Sequence, residues 1–472
     1  MPDLPEITQQ HLTKVRDFYD HAPARPKDGG RGYRRLIAHY YNLLIPAGAS
    51  VLEIGCGNGE LLAQLQGARK VGIDLSATQL AAARERVPDA EFHQQAGEAL
   101  ALDERFDCIV ISDTLNLAAD VQRLLEQLHA VSHADTRLFL NFHNSLWRPG
   151  LSLLTALGLK DRHPRNSWLA SSDVLNLLHL AGWSPVCRQA HLLLPAPALG
   201  LDRLVNRWLA PLAQWFCLTI FISARPARSL PARPPTVSVV IPARNEAGNI
   251  AAAVRRTPVM GGGTELIFVE GHSTDDTWAQ IQQVKADHPD RPIKILQQTG
   301  RGKGDAVRAG FAAASGDILM ILDADLTMPP EELPKFYEVI ASGRAEFANG
   351  VRLVYPMEKE AMQFLNLCAN KAFSLIFTWL LGQPVKDTLC GTKVLSRSHY
   401  EKIAANRAYF GDFDPFGDFD LLFGAARLNL QIADVPIRYK ERTYGTTNIQ
   451  RWKHGWLLLR MVFFAARKLK FT

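Results

Sequence analysis

Cysteine is scarce and unpaired in pattern: six residues (Cys56, Cys108, Cys187, Cys217, Cys368, Cys390) lie scattered over 472, with no C-x-x-C. This argues against a disulfide framework or a zinc site and for reduced thiols in the cytoplasm. No apolar run reaches the ~20 residues that a spanning helix requires. The first ten residues, MPDLPEITQQ, lack the basic-then-apolar order of a signal sequence. The expected location is therefore the cytoplasm, either free or on the inner face of the cytoplasmic membrane. Charge of one sign is also scarce, because a net +6 on this length is a mild bias; no nucleic-acid partner is expected. Repeats and low-complexity tracts are missing. What the chain does have is 47% apolar residues, enough for more than one core, at a length that suits two or three domains.

One seam divides it. SARPARSLPARPPT (223–236) carries four prolines and three arginines, a composition that opposes helix and central strand and reads as a stiff, solvated linker. The expected domains are 1–223 and 237–472, joined by 224–236. Just before the seam, WLAPLAQWFCLTIFI (208–222) contains Pro211 and Gln214 and reads as a loop followed by a strand.

In the first domain, SVLEIGCGNGELLAQL (50–65) gives an apolar strand, a glycine turn and a helical start. Gly55, Gly57 and Gly59 let backbone approach a ligand at a strand's carboxyl end. Glu53 precedes them, and Asp74 ends the next strand nineteen residues past Gly55, an offset suited to a ribose diol. NAD is the alternative ligand, but Glu60 breaks the G-x-G-x-x-G spacing.

LEIGCGNG and GIDLS resemble the class I S-adenosylmethionine-dependent methyltransferases, over about residues 35–145. The resemblance implies that Gly55, Gly57 and Asp74 hold the methionine and ribose ends of S-adenosylmethionine, with Glu53 beside them. It implies an adenine-contacting turn at Gly97 and Glu98, and a fourth strand with Asp113 at its mouth. FYDHAPARPKDGGRGYRRL (18–36), with Tyr19 and Tyr33, is the expected lid, and His143 follows the fifth strand near the site. Such enzymes act by proximity and need at most one base. Cys56 reads as a small buried filler. The methyl acceptor is not written in the sequence.

In the second domain, TVSVVIPARNEAGNI (236–250) is a β-branched strand reaching Pro242, then Asn245 and Glu246. ELIFVEGHSTDDTW (265–278) is a strand ending in Glu270. A glycine-rich basic turn around Lys303 leads to a third strand and to ILDADLT (321–327). Continued strand alternation would point Asp323 and Asp325 the same way. A turn accounts for two aspartates, since Asp favours turns; a divalent cation with phosphates completing its shell accounts for them equally. The convergence of three strand ends bearing acids and a lysine favours the cation.

This series resembles the family 2 glycosyltransferases, in particular the dolichyl-phosphate mannose synthase-like branch, over nearly all of 237–445. The resemblance implies a GT-A fold that binds a nucleotide-diphospho-sugar, UDP- or GDP-linked, with inversion at the sugar carbon. Pro242, Asn245, Glu246, Glu270, Lys303 and Asp323 would line the donor, and Asp323 and Asp325 would hold Mg²⁺ or Mn²⁺. Gly271 stands where the family has a second acid, and Thr327 where relatives often carry glutamine. Arg442, Tyr444 and Gly445 match the arginine–glycine stretch that closes over the donor, with Thr447 and Asn448 replacing a commoner Ser-Lys. Arg352 and Lys393, the latter in a stretch with Asp387 and Gly391, resemble the borders of a lipid-phosphate site, so polyprenyl phosphate is the expected acceptor. A hydroxyl acceptor would need a carboxylate base, for which Asp418 and Asp420 stand ready; a phosphomonoester is already ionised at pH 7.

The tail WKHGWLLLRMVFFAARKLKFT (452–472) has five Lys/Arg and no acid. Leu458, Met461, Val462, Ala465 and Leu469 form one helical face. It suits an anionic membrane surface or packing on its own domain, and both readings stay open. The fold class is thus α/β: two α/β domains, a Rossmann-like methyltransferase followed by a nucleotide-diphospho-sugar transferase. The expected function is a bifunctional transferase; the alternative is a glycosyltransferase acting on a glycan or small-molecule hydroxyl, with the first domain a cofactor-binding or docking module.

Overall fold

A computed structural model describes residues 4–21, 29–157, 169–194, 200–227, 231–352, 354–355, 364–407, 418–440, 442, 444 and 451–471. The chain forms two compact units that divide after Ala227.

The first unit is built on seven strands: β1 (Ser50–Ile54), β2 (Arg69–Asp74), β3 (Glu91–Gln94), β4 (Phe106–Ser112), β5 (Ser132–His143), β6 (Trp183–His191) and β7 (Thr219–Pro226). Their order is β3-β2-β1-β4-β5-β7-β6. Strands β3, β2, β1, β4 and β5 run parallel, while β7 is antiparallel to both of its neighbours. Parallel strands covered on both faces read as continuous apolar runs. In β1 and β4 alternate residues serve opposite cores: Leu52, Ile54, Ile109 and Ile111 pack in one, Val51, Cys108 and Val110 in the other.

Here the expected linker needs correction. β7 runs through Pro226, so Ser223 to Pro226 belong to a strand between β5 and β6, and Arg225 is 1% exposed. Pro226 is tolerated because it pairs at the strand's last position, with Trp183 alone. A stretch of polar and proline residues concealed a strand whose burial comes from its neighbours.

The second unit has its own seven strands: β8 (Val237–Ala243), β9 (Thr264–Glu270), β10 (Ile293–Gln297), β11 (Ile318–Ile321), β12 (Phe347–Val351), β13 (Lys393–Ser396) and β14 (Ile432–Pro436). The order is β10-β9-β8-β11-β13-β12-β14, with only β13 antiparallel to its neighbours. All seven residues of β9 are buried, as its apolar run requires. In both sheets the strand order reverses beside the first strand, at β1/β4 and at β8/β11. Ligands of open α/β sheets bind outside the carboxyl ends of strands at such a reversal.

The tail forms a helix, Arg451–Leu469, that packs against the helix Phe364–Leu381. Met461 and Ala465 of the expected apolar face are buried, Val462 and Leu469 are half-buried, and the Leu458 side chain lies outside the described residues. Trp456, Leu459 and Phe463 are exposed on another face. The packing reading therefore holds for one face of the helix. Among the described residues, no helix is long and apolar enough to cross a membrane.

Candidate active sites

The first site hangs on the end of β1. Gly55 turns the chain at φ 72°, and a Cβ there would lie 2.5 Å from the Thr114 side chain, so only glycine fits against the segment after β4. Asp74, at the end of β2, accepts hydrogen bonds from the Gly57 N–H (2.8 Å) and the Ser76 N–H (2.9 Å) on its two oxygens. Burial still raises its pKa above the usual carboxylate range. A carboxylate offers about four lone-pair sites, more than these two bonds use. Glu53 is 3% exposed; burial pushes its carboxyl up to about 8, and its Oε2 has no hydrogen-bond partner among the described residues. A buried, unpartnered carboxylate oxygen beside a glycine turn fits a ligand's amino group.

Two aromatic residues of the expected lid come to this site. Tyr33 donates to Asp113 Oδ1 (3.1 Å), stacks on His143 (5.9 Å, 15°), and has its hydroxyl pKa raised by burial and then by Asp113. Tyr19 lies on the helix Glu6–His21, where Asp20 accepts from Ser76 Oγ at 2.6 Å; burial, with Asp74 next, pushes the Tyr19 hydroxyl up to about 12. Residues 22–28 of the lid stretch lie outside the described residues. Asp113 takes a left-handed φ of 53° and also accepts from Asn141 Nδ2 (2.8 Å), whose own carbonyl accepts from Tyr41. Gly97 packs against Leu124 and Ile54, and Glu98, its pKa raised by burial, accepts from the Ala119 N–H (2.9 Å).

The second site lies at the β8/β11 reversal. Asn245 leaves β8 at φ 54°; its N–H donates to Ser273 Oγ (3.1 Å) and its Oδ1 accepts from the Thr274 N–H (2.8 Å). Pro242, still in β8, pairs with Val269. Buried Glu270 accepts from the Ser273 N–H at 2.5 Å, tying the β9 end to the same loop. Glu246 accepts from Asn249 (2.8 Å) and from Arg442 Nη1 (2.9 Å); burial raises its pKa, although Arg442 opposes this. Lys303 opens the helix Lys303–Ala313 and pairs with Asp323 at 2.7 Å. The other nitrogen of Arg442 donates to Asp325 Oδ2 at 2.7 Å. Gly391 keeps this cluster open, since a Cβ there would collide with Asp323 and Lys303.

Strand alternation does not reach the two aspartates, because β11 stops at Ile321 and they sit in the turn beyond it. Thr327 donates to Asp325 Oδ1 from its N–H (3.1 Å) and its hydroxyl (2.8 Å), and Leu326 is held at φ 52°. The turn reading holds, and the turn presents Asp323 to the Lys303 ammonium and Asp325 to the Arg442 guanidinium.

Other expected residues stand elsewhere. Asp420 pairs with Arg407 (2.8 Å) and lines a small cavity with Ile403, Asn406 and Arg427, so its charge is already matched away from the donor cluster. The Asp418 side chain, Gly445, Thr447 and Asn448 lie outside the described residues. Lys393 is fully buried, and its ammonium donates to the Cys390 carbonyl rather than facing outward. Arg352 forms a two-pronged pair with buried Asp387 (2.7 and 2.9 Å), to which Asn370 also donates (3.0 Å), and lies 5.2 Å from the Tyr439 ring centroid.

Residues 29–188 match a family model described as a methyltransferase domain, and residues 238–403 match glycosyl transferase family 2. The chain joins a methyltransferase domain to a family 2 glycosyltransferase domain. The glycosyltransferase domain is similar to the dolichol-phosphate mannosyltransferase of Pyrococcus furiosus, 31% identical over 175 residues, 36% of this chain and 49% of that one. It is also similar to the undecaprenyl-phosphate 4-deoxy-4-formamido-L-arabinose transferase of Pectobacterium carotovorum, 36% identical over 215 residues, 45% of this chain and 62% of that one. The chain thus spans about half to three-fifths of the length of these curated relatives. Among solved structures, glucosyl-3-phosphoglycerate synthase from Mycobacterium tuberculosis, in complex with Mn²⁺ and UDP, aligns at 22% identity and TM-score 0.37 over 50% of this chain and 80% of that one.

In the glycosyltransferase domain Asp323 and Asp325 are oxygen ligands of the kind that Mg²⁺ or Mn²⁺ takes, and each is charge-matched here by a nitrogen cation, Lys303 and Arg442. Sequence reading missed Asn141, Thr114 and Asp20 of the methyltransferase domain. Asn141 alone left a trace, as an amide inside the apolar run LFLNF (138–142) of β5, and its side chain fixes Asp113.

Proposed function

We propose that the glycosyltransferase domain transfers a sugar from a nucleotide-diphospho-sugar to polyprenyl phosphate. We propose also that the methyltransferase domain, using S-adenosylmethionine, methylates an acceptor yet to be identified. The observation that carries the first half is the meeting of Lys303, Arg442, Glu246, Asp323 and Asp325 at one sheet reversal. A departing nucleoside diphosphate gains negative charge, and a bound Mg²⁺ or Mn²⁺ at Asp323 and Asp325 would supply charge stabilisation there. Lys303, at a helix N-terminus, is placed to bind the phosphates. Arg442, now held by Glu246 and Asp325, would turn to the donor phosphates when the site fills. Arg352, oriented by Asp387, would bind the acceptor phosphate in a charge-assisted contact, with buried Lys393 adding positive potential behind it. The polyprenyl phosphate reading is favoured over a hydroxyl acceptor because Asp420, one of the two candidate bases, is engaged by Arg407 at 2.8 Å.

In the methyltransferase domain, Asp74 would hold the ribose, Glu53 the amino group, and Gly97 and Glu98 the adenine turn. S-adenosylmethionine supplies a methyl carbon made electrophilic by its sulfonium sulfur. Tyr33 and His143, stacked at the mouth, would orient the acceptor.

The test is incubation with a panel of UDP- and GDP-sugars and membrane lipid extract, read by mass spectrometry. A glycosyl phosphate lipid, soluble in organic solvent and labile to mild acid, is expected. A water-soluble, acid-stable product would decide for a hydroxyl acceptor.

A further inference from the structure

The methyltransferase domain carries an apolar surface that its own fold does not use. After β5 the chain runs through Ser145–Trp147 into the helix Arg148–Ala156; before β7 it passes through Val205–Leu209 and Gln214–Phe216. Hydrogen bonds join the two segments. Asn144 Nδ2 donates to the carbonyls of Trp215 (3.0 Å) and Cys217 (3.1 Å), and Trp147 Nε1 donates to that of Phe216 (2.9 Å). The side chains they turn outward are apolar: Leu146, Leu153, Leu157, Leu212, Trp215 and Phe216 are all exposed, with Trp215 at 81% and Phe216 at 66%. Large neighbouring apolar side chains left in water on a folded domain mark an interaction surface.

Composition and place indicate what covers it. Residues 144–157 contain Arg148 and no acid, and residues 200–217 contain Arg203 and Arg207 against Asp202 alone. Arg148 and Arg203 are exposed within these two segments. Exposed Trp, Phe and Leu with arginines at the border are the chemistry of a segment seated at the headgroup level of an anionic bilayer. The surface also borders the site, because both segments meet the sheet where β5 ends at His143 and β7 begins at Thr219, and the Tyr33 hydroxyl lies 3.3 Å from Thr219 Oγ1.

The geometry points to a membrane-docking face on the methyltransferase domain, which seats the mouth of its site on an anionic lipid surface and takes its methyl acceptor from that surface. The acceptor is then an amphiphile with an O–H or N–H at headgroup depth. Its lone pair forms the new bond to the methyl carbon, the carbon–sulfur bond breaks with its pair going to sulfur, and the proton passes to water. The acceptor part rests on the methyltransferase reading; the docking part does not.

The test uses the full chain and vesicles of phosphatidylcholine with or without phosphatidylglycerol. Wild type should float with the anionic vesicles. The double variant Trp215→Ser, Phe216→Ser should partition at least tenfold more weakly, while an unchanged circular dichroism spectrum and thermal melt certify its fold. Brominated lipid should quench wild-type fluorescence more than that of Trp215→Phe, because a tryptophan in the acyl boundary is lost. Equal vesicle binding by wild type and the double variant overturns the proposal, as does loss of binding only in Phe463→Ser, on the tail helix. So does self-association of wild type, abolished in the double variant, without vesicle binding. Label from methyl-labelled S-adenosylmethionine should enter the organic phase of a lipid extract. Label confined to the aqueous phase, with docking intact, overturns the acceptor assignment alone.

Discussion

Arg442 reaches Asp325 across 117 positions of chain and donates to it at 2.7 Å, while its other terminal nitrogen holds Glu246 at 2.9 Å. One guanidinium thus joins the loop after β8 to the turn after β11. A planar fork of this kind can exchange two carboxylates for the oxygens of a diphosphate without changing its own charge.

Asp325→Asn should abolish sugar transfer and metal-enhanced nucleotide binding, with S-adenosylmethionine binding unchanged. Arg442→Ala should lower kcat by about 10²–10³, the scale for losing one pre-placed charge donor. Nucleotide titrations with and without Mn²⁺, beside steady-state rates, check both. Full sugar transfer by Asp325→Asn, or by wild type in excess chelator, would sink the metal assignment.

Asp74 fixes the glycine turn through the Gly57 N–H as well as offering lone pairs to a ribose. Asp74→Ala should weaken S-adenosylmethionine binding by about 1–3 kcal/mol, the scale of lost hydrogen bonds to a buried partner. Calorimetry measures this, and unchanged affinity would place the ribose elsewhere. Sugar transfer should survive, since the other unit has a separate sheet and core.

Glu53 makes stability depend on pH. Its folded pKa, about 8, lies above the ordinary 4.5, so the folded state binds the extra proton between these values. Stability should therefore fall as pH rises from about 4.5 to about 8, and the penalty is complete above that range. Glu53→Gln should flatten this dependence in a thermal melt series and should weaken cofactor binding at pH 8. A series as steep in the variant as in wild type would reject the assignment.

The pair between Arg352 and Asp387 is buried, and Arg352 outweighs burial to hold the Asp387 carboxyl below its ordinary pKa. Asp387→Ala should destabilise the fold by about 3–5 kcal/mol, because it leaves a buried guanidinium uncompensated. Arg352→Lys keeps a charge but loses the fork; it should raise the KM for lipid acceptor more than that for nucleotide sugar. Chemical denaturation and paired KM measurements separate the two roles, and equal KM shifts would remove Arg352 from the acceptor.

The sequence disclosed those parts of the fold and sites that are local. Apolar runs ending in glycine or in Asn-Glu gave the strands β1 and β8 and the loops that follow, because turn chemistry and strand burial act within a few residues. Partners distant in sequence were not legible. Nothing in the stretch around Asp420 announces Arg407, and nothing near Lys393 announces that its ammonium turns inward to the Cys390 carbonyl. Ser223–Pro226 reads as linker by composition, and only pairing with β5 and β6 makes it a strand.

Leu326 has a further bearing. A leucine at φ 52° is strained by about 1–3 kcal/mol, and it sits between the two partners Asp325 and Thr327. Evolution of heat tolerance would meet a conflict at this position. Leu326→Gly relieves the backbone, yet it removes a side chain packed in the core of the domain and frees the turn that aims both carboxylates. A variant that melts higher and transfers sugar more slowly would show that rigidity here is maintained at the expense of durability; a variant that gains on both counts would show the left-handed leucine to be an accident of descent.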